Sequence, residues 1–335
     1  MTIMMSKEAL MKSAKLHSYK PEMLEKVLIL IDVLGQFAAV PFLNEHLALK
    51  GGTALNLFHF EKIPRLSVDI DLNYIGSADQ NIMKKERKII NGALFKIMQQ
   101  NNFDLERSPN HYAGGKMIWR YPSALGQKGN LEIDLNYMYR KPLWPIQHIE
   151  SKLTIEKSAA IPVLDIHELS AGKLAALFDR QASRDLFDAR YLLTHCDLNR
   201  KKLRLSFVIY LAISTVELKN IKPDYINYDL RDLQNRLLPV LHQEKIPKAK
   251  SDVKNFAQTL LNELHEKLSE ILPLTDAENE FIKKIRTDGI IDPALITNDE
   301  KLSEILESHP AILWAAKRNG PPADPLNRNR ISRFS

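Results

Sequence analysis

At 335 residues, with 44% hydrophobic and 26% charged side chains, the chain is long enough for two cored domains and too apolar for a disordered or fibrous protein. Its one cysteine, Cys196, excludes an internal disulfide, and no run of about 18 apolar residues offers a membrane span. A formal charge of +6 and a pI near 9.1 favour polyanionic partners such as nucleotides or RNA, although 47 basic against 41 acidic residues make the excess modest.

The N-terminal stretch scatters lysines and lacks the apolar core of a signal peptide, so a cytoplasmic protein without membrane association is expected. Residues 20 to 38 carry apolar positions at helical spacing, with Pro21 near the start where its missing N–H costs nothing. A short strand, HLALK, leads into Gly51 and Gly52, which open a helix over TALNLFHF. SVDIDLNYI then alternates with period two, Val68, Ile70 and Leu72 on one face and Asp69 and Asp71 on the other. Residues 80 to 100 spell an amphipathic helix whose basic run reads as a solvated face. Three strands follow in FDLERS, GKMIWRYPS and NLEIDLNYMY, with GQKGN turning between the last two. Helical periodicity then dominates, and the close mixes glycine, proline and arginine. The expected class is α+β: a mixed sheet flanked by helices over residues 1–160, an all-helical domain contributing to the active-site cleft over 161–320, and an irregular tail over 321–335.

Alternate strand residues lie about 6 to 7 Å apart on one face. Asp69 and Asp71 therefore repel unless one takes a proton, a cation intervenes or a divalent metal lies between them. All-oxygen ligands suit Mg²⁺ or Mn²⁺, hard ions that complete their shells with water and phosphate oxygens. LEIDLNY repeats the local context of Asp71, so Asp134 on a neighbouring strand becomes a third carboxylate for the metal set of Asp69, Asp71 and Asp134. The plainer alternative is solvated aspartates on an edge strand. Gly51 and Gly52 let backbone N–H groups approach a phosphate at a helix start, where the Thr53 hydroxyl can donate to it; a tight strand-to-helix turn is the bland counterpart. Arg65 and Ser67, just before the aspartate strand, suit phosphate contact or a strand entry equally.

In HELSAGKLAALFDRQASRDLFDARYLL, Lys173, Arg180, Arg184 and Asp188 fall within about 80° of one another on a continuous helix, and a break at QAS would part them. Lys173 can grip nucleotide phosphates as a point charge, and Arg184 can hold a phosphate bidentately or orient a carboxylate; the alternative is a solvated face in which Asp185 and Asp188 pair with Arg184. Asp165 and Glu168 read as a capping box. Trp119, Tyr121, Tyr137 and Tyr139 read as sheet packing ahead of base stacking, and no histidines are spaced as a zinc pair.

Gly52-Thr53, Asp69-x-Asp71 and a later strand carboxylate together resemble the signature of the DNA polymerase β-like nucleotidyltransferase superfamily. More narrowly, LKGGTALNLF, RLSVDIDL, LEIDLNY and the HELSAGKLAALFDRQASRDLFDARYLL segment resemble the AbiEii/AbiGii-type nucleotidyltransferases, toxin halves of bacterial toxin-antitoxin and phage-defence pairs, over about residues 45 to 195. The resemblance implies a polymerase β-like core and transfer of NMP from an NTP with release of pyrophosphate. It implies RNA, notably the tRNA acceptor end, as the acceptor, and a cognate antitoxin acting without a tight complex. It also places essential function on Lys173 and on RDLFD, here Asp185 and Asp188, one of which can serve as base toward the incoming hydroxyl. The superfamily otherwise gives that role to the third strand carboxylate. Two rivals remain: the same site acting on a small-molecule or protein hydroxyl, and a nucleotide- or RNA-binding module without catalysis, against which the costly clustered carboxylates argue.

Overall fold

Ser6 accepts a hydrogen bond from the Ala9 N–H and so starts α1 (Lys7–Leu16); Pro21 opens α2 (Pro21–Ala38), which buries Leu24, Val27, Leu30, Val33 and Phe37. The computed structural model describes residues 5–108, 114–153 and 158–319, so the expected tail over 321–335 lies outside the described residues. After α3 (Pro41–His46) the chain runs through β1 (Leu47–Lys50) into α4 (Gly51–Thr53), which continues as a π-helical turn over Ala54–His59. β2 (Asp69–Tyr74) and α5 (Gln80–Gln100) come next, α5 capped by Asp79. Then come β3 (Asp104–Arg107), β4 (Gly114–Pro122), β5 (Lys128–Asn136), β6 (Gln147–Ile149) and β7 (Ile161–Val163).

These strands form one mixed sheet in the order β3-β4-β5-β2-β1-β7-β6. β2 runs antiparallel to β1 and parallel to β5, while β4 is antiparallel to β5. One face is apolar because Ile70, Leu72, Ile133 and Leu135 alternate with the acidic residues and pack into a core shared with α2 and α5. Trp119, Tyr121 and Tyr137 are buried in that same core, as sheet packing requires. The short β6 and β7 were not expected; β7 pairs with β1 just beyond residue 160, so the sheet reaches past the point where helical character was expected to begin.

The rest is helical: α6 (Ile166–Arg180), α7 (Ser183–His195), α8 (Arg200–Ile213), the single turn α9 (Leu230–Asp232), α10 (Lys250–Leu268), α11 (Asp276–Lys283), α12 (Glu300–Ser308) and α13 (Pro310–Asn319). They enclose a second core around Phe178, Phe207, Leu264 and Phe281. Gln181, at φ 49°, ends α6 in the left-handed region, so the continuous helix that would align Lys173 with Asp188 is broken at QAS. Packing of α7 against α6 brings those side chains together by another route. Asp165 does cap α6 through the His167 N–H, but Glu168 does not complete a capping box. Its buried carboxylate accepts from the Leu143 N–H and the Tyr210 hydroxyl, and burial pushes its pKa up to about 7.

Candidate active site

Strand register assembles the acidic face. Asp71 stands opposite Asp134 across the parallel β2–β5 pair, and Asp69 stands opposite Glu132. The row continues on both sides, because Lys116 of β4 pairs with Asp134 and Lys50 of β1 pairs with Asp71. Directly opposed residues share a face, so one line reads Lys116, Asp134, Asp71, Lys50 across four strands. Burial raises the pKa of Asp71, Lys50 opposes that shift, and Asp69 and Asp134 add to it.

The glycine corner closes over this line. Gly51 sits at φ +74°, and a Cβ built on it would lie 2.3 Å from Asp71 Oδ2. A Cβ on Gly52 would lie 2.8 Å from Arg65 Nη2, 3.1 Å from Ser67 Oγ and 3.6 Å from Asp188 Oδ2. The backbone thus runs between the strand aspartates on one side and an arginine-aspartate pair on the other. Gly51→Ala should therefore cost about 1–2 kcal/mol for the left-handed backbone alone and displace the Asp71 carboxylate. A thermal melt read beside nucleotide incorporation is expected to show activity falling further than stability.

Beneath Gly52 lies a second, buried group of charges. Arg65 grips Asp188 bidentately, Nε to Oδ1 at 2.8 Å and Nη2 to Oδ2 at 2.5 Å. Lys173 Nζ lies 2.7 Å from Asp185 Oδ1 and 3.0 Å from Asp188 Oδ2, and Arg180 Nε binds Asp185 Oδ2 at 2.6 Å. Asn56 Nδ2 links the two layers, donating to the Gly52 carbonyl at 3.0 Å and to Asp188 Oδ1 at 3.1 Å. Asp188 is 0% exposed and Lys173 8%. Burial works against ionisation of Asp185, but Lys173 and Arg180 overcome it and hold the carboxyl well below the usual range; Arg65 and Lys173 likewise hold Asp188 down. Lys173 stays charged for the reciprocal reason, burial being outweighed by the two aspartates.

The residues expected from sequence thus fall into two layers. Asp69, Asp71 and Asp134 share the sheet face with Gly51 against Asp71, and Arg184 Nη1 approaches Asp69 Oδ2 at 3.5 Å. Thr53, Arg65, Ser67, Lys173, Asp185 and Asp188 are buried side chains of the supporting layer. The Thr53 hydroxyl lies 2.9 Å from Ser67 Oγ and also bonds the Asp69 carbonyl, fastening the helix start to β2. Sequence reasoning missed Lys50, whose signal was its place directly before the glycines, and Asn56, which carries no local signal.

As a seat for a divalent cation, the donor set is all carboxylate oxygen, and burial, with Asp69 and Asp134 adding to it, disfavours ionisation of Asp71, which is the situation such an ion relieves. Among the described residues no three His, Cys, Asp or Glu side chains converge on one point. Mg²⁺ commonly uses only one or two carboxylates and completes its shell with water and substrate phosphate, so Asp69 and Asp71 beside the glycine corner fit it.

A helix led by two glycines and set against paired strand aspartates, in a mixed sheet followed by helices, is the architecture of a nucleotidyltransferase. The profile of the family described as "Nucleotidyl transferase AbiEii toxin, Type IV TA system" matches residues 32–284, and the chain belongs to that family. It is accordingly a nucleotidyltransferase toxin of a type IV toxin-antitoxin system, which brings with it an NTP substrate and an antitoxin partner. Its fold is similar to that of MenT4, a nucleotidyltransferase toxin from Mycobacterium tuberculosis H37Rv, with a TM-score of 0.55 and 14% identity over 93% of this chain and 99% of that one. At that identity the likeness speaks for the fold alone. None of the curated proteins matches the chain. Among the described residues no helix is long and apolar enough to cross a membrane.

Proposed function

We propose that the chain transfers a nucleoside monophosphate from an NTP to a hydroxyl of RNA, foremost the 3′ end of tRNA. The acceptor oxygen bonds to the α-phosphorus, the α–β phosphoanhydride bond breaks, pyrophosphate leaves and the acceptor proton passes to a carboxylate. Asp134 is the better base: it stands beside Asp71 on the sheet face, whereas Asp185 and Asp188 are buried and held ionised by their own cations. Gly51 and Gly52 present backbone to the triphosphate, and Asn56, bonded to the Gly52 carbonyl and to Asp188 of the buried cluster of Arg65, Lys173, Asp185 and Asp188, holds that backbone in place. Asp69 and Asp71, with Asp134 adjacent, would hold Mg²⁺ or Mn²⁺, which supplies neutralising charge for the triphosphate. The protein's share is positioning and electrostatics, the usual currency of phosphoryl transfer. By this reading the toxin blocks growth, whether in phage defence or otherwise, by altering RNA, and its antitoxin acts without forming a tight complex.

The observation that carries this reading is the register of Asp71 against Asp134 with Gly51 closed against Asp71. Purified protein incubated with each labelled NTP, Mg²⁺ and total tRNA is expected to label the RNA and release pyrophosphate, and chelation is expected to stop both. Absence of transfer with every NTP would sink the enzymatic reading. Label appearing on protein or on small hydroxyl compounds, with tRNA untouched, would move the acceptor elsewhere.

A further inference from the structure

The charged face of the sheet does not end at the aspartates. Past Asp134 and Glu132 it continues onto β4 as an open surface, the Lys116 side chain 50% exposed and that of Arg120 41%. Three cations stand along the inner edge of this surface. Lys116 Nζ pairs with Glu132 at 2.5 Å, Arg184 reaches from α7 toward Asp69 at 3.5 Å, and Lys26 reaches from α2 to Asn130 Oδ1 at 3.3 Å. Lys26 is set there by its neighbour Glu25, which accepts from the Ser123 hydroxyl and the Ala124 N–H, both at 2.6 Å, and so fastens the start of α2 to the β4–β5 turn. Burial lowers the Lys26 pKa, and the charges whose fields reach it are Asp69 and Glu132, which raise it, and Arg184 and Lys116, which lower it. All five groups therefore share one neighbourhood.

Three cations there face Asp69 and Glu132, with Asp71 and Asp134 next along the same sheet face. Among the described residues Lys26 forms no ion pair, its hydrogen-bond partner being a neutral amide oxygen. An ammonium answered by Asp69 and Glu132 only from beyond ion-pair distance can take a direct anionic partner. The demand grows once Asp69 is engaged elsewhere and no longer answers Arg184. Lys26 also precedes the segment, 32–284, that the family profile matches.

We propose that Lys26, Lys116 and Arg184 form a phosphate clamp for the backbone of the RNA acceptor. This rests on the transferase reading above. The two lysines stand away from the nucleotide corner, Gly51 lying against Asp71 toward β1 and Lys26 and Lys116 on the β5 and β4 side, while Arg184 borders the corner through Asp69. RNA whose hydroxyl approaches Asp134 across the open half of the sheet carries its backbone phosphates past all three cations. Such contacts fix position and orientation without reading sequence, as suits one guanidinium and two ammoniums.

Total tRNA is the probe, bound to the full chain in filter-binding assays over a range of salt, beside steady-state kinetics with tRNA and NTP varied in turn. Lys26→Gln and Lys116→Gln are each expected to weaken tRNA binding severalfold and to reduce the slope of log affinity against log salt by about 1. The KM for tRNA rises, the KM for the NTP stays, and Lys26→Arg restores both binding and slope. Lys116 is exposed, so its variant reports on the clamp even if Lys26→Gln proves unstable in a thermal melt. Unchanged affinity and slope in both variants overturn the clamp, as does a wild type that binds no tRNA. A rise in the KM for the NTP in place of that for tRNA assigns these cations to the triphosphate and overturns it equally. Salt-sensitive, Lys26-dependent tRNA binding by a chain that transfers no nucleotide would support the clamp and sink the transferase reading instead.

Discussion

Asp71→Asn is expected to reduce nucleotide transfer on the order of 10³-fold while leaving the metal-free protein as stable as wild type or more so. The first half follows from charge: a bound divalent ion supplies several kcal/mol of transition-state stabilisation, and about 4 kcal/mol corresponds to three decades of rate. The second half follows from the direction of the Asp71 shift. Burial, with Asp69 and Asp134 adding to it, raises the folded-state pKa above the ordinary value of 3.8. For a raised carboxyl the stabilising contribution is present below the unfolded pKa and is lost as pH rises through the folded one, so at neutral pH the ionised group costs stability that asparagine does not. Thermal melts at pH 7 with and without Mg²⁺ check both halves. Wild type should gain stability from the ion by mass action, and Asp71→Asn should gain little. Transfer at wild-type rates in Asp71→Asn, or equal Mg²⁺ stabilisation of the two proteins, would remove Asp71 from the metal site.

The parts of this site legible in the sequence were those governed by local period. Alternation in a strand fixes which residues share a face, so Asp69 and Asp71 could be placed together from spacing alone, and the repeated Ile-Asp-Leu-Asn-Tyr context pointed to Asp134. The parallel pairing that sets Asp134 opposite Asp71 is long-range and emerged only in the fold. Local motifs also do not say whether a polar side chain faces the ligand or the scaffold. Thr53 can meet a phosphate in sequence, and Arg65 and Ser67 suit a phosphate contact or a strand entry equally; in the fold they sit 0%, 2% and 5% exposed, tied to β2 and to Asp188. Helical phase gave Lys173 and Asp188 the right neighbourhood for the wrong reason, since Gln181 breaks the helix and packing of α7 on α6 restores the contact. Lys26 had no signal at all, because what defines it is a tertiary contact to Asn130 of β5 beside the Glu25 anchor on the β4–β5 turn.

Asp188→Ala is expected to destabilise the fold by about 3–5 kcal/mol, the cost of leaving buried charges without their partner. Arg65 is 2% exposed and Lys173 8%, and both direct donors at Asp188, so alanine leaves the Arg65 guanidinium without its carboxylate and Lys173 with Asp185 alone. Set against the 5–15 kcal/mol that holds a typical domain together, the loss brings the protein close to unfolding. Arg65→Ala should cost a similar amount and the double variant less than the sum, because the second change removes a charge already unpaired. The pH dependence has a definite sign. Asp185 and Asp188 both have folded pKa values below the unfolded 3.8, so their contribution is present above that value and is lost as pH falls through the folded ones. Wild type should lose stability on acidification below about pH 4, and Asp188→Ala should show a smaller part of that loss. Urea titrations at pH 7 and at several acidic values measure both quantities. Should Asp188→Ala instead melt with wild type while transferring no nucleotide, Asp188 would belong to the chemistry and not to the support beneath Gly52, and the base assigned to Asp134 would have to be reassigned to it.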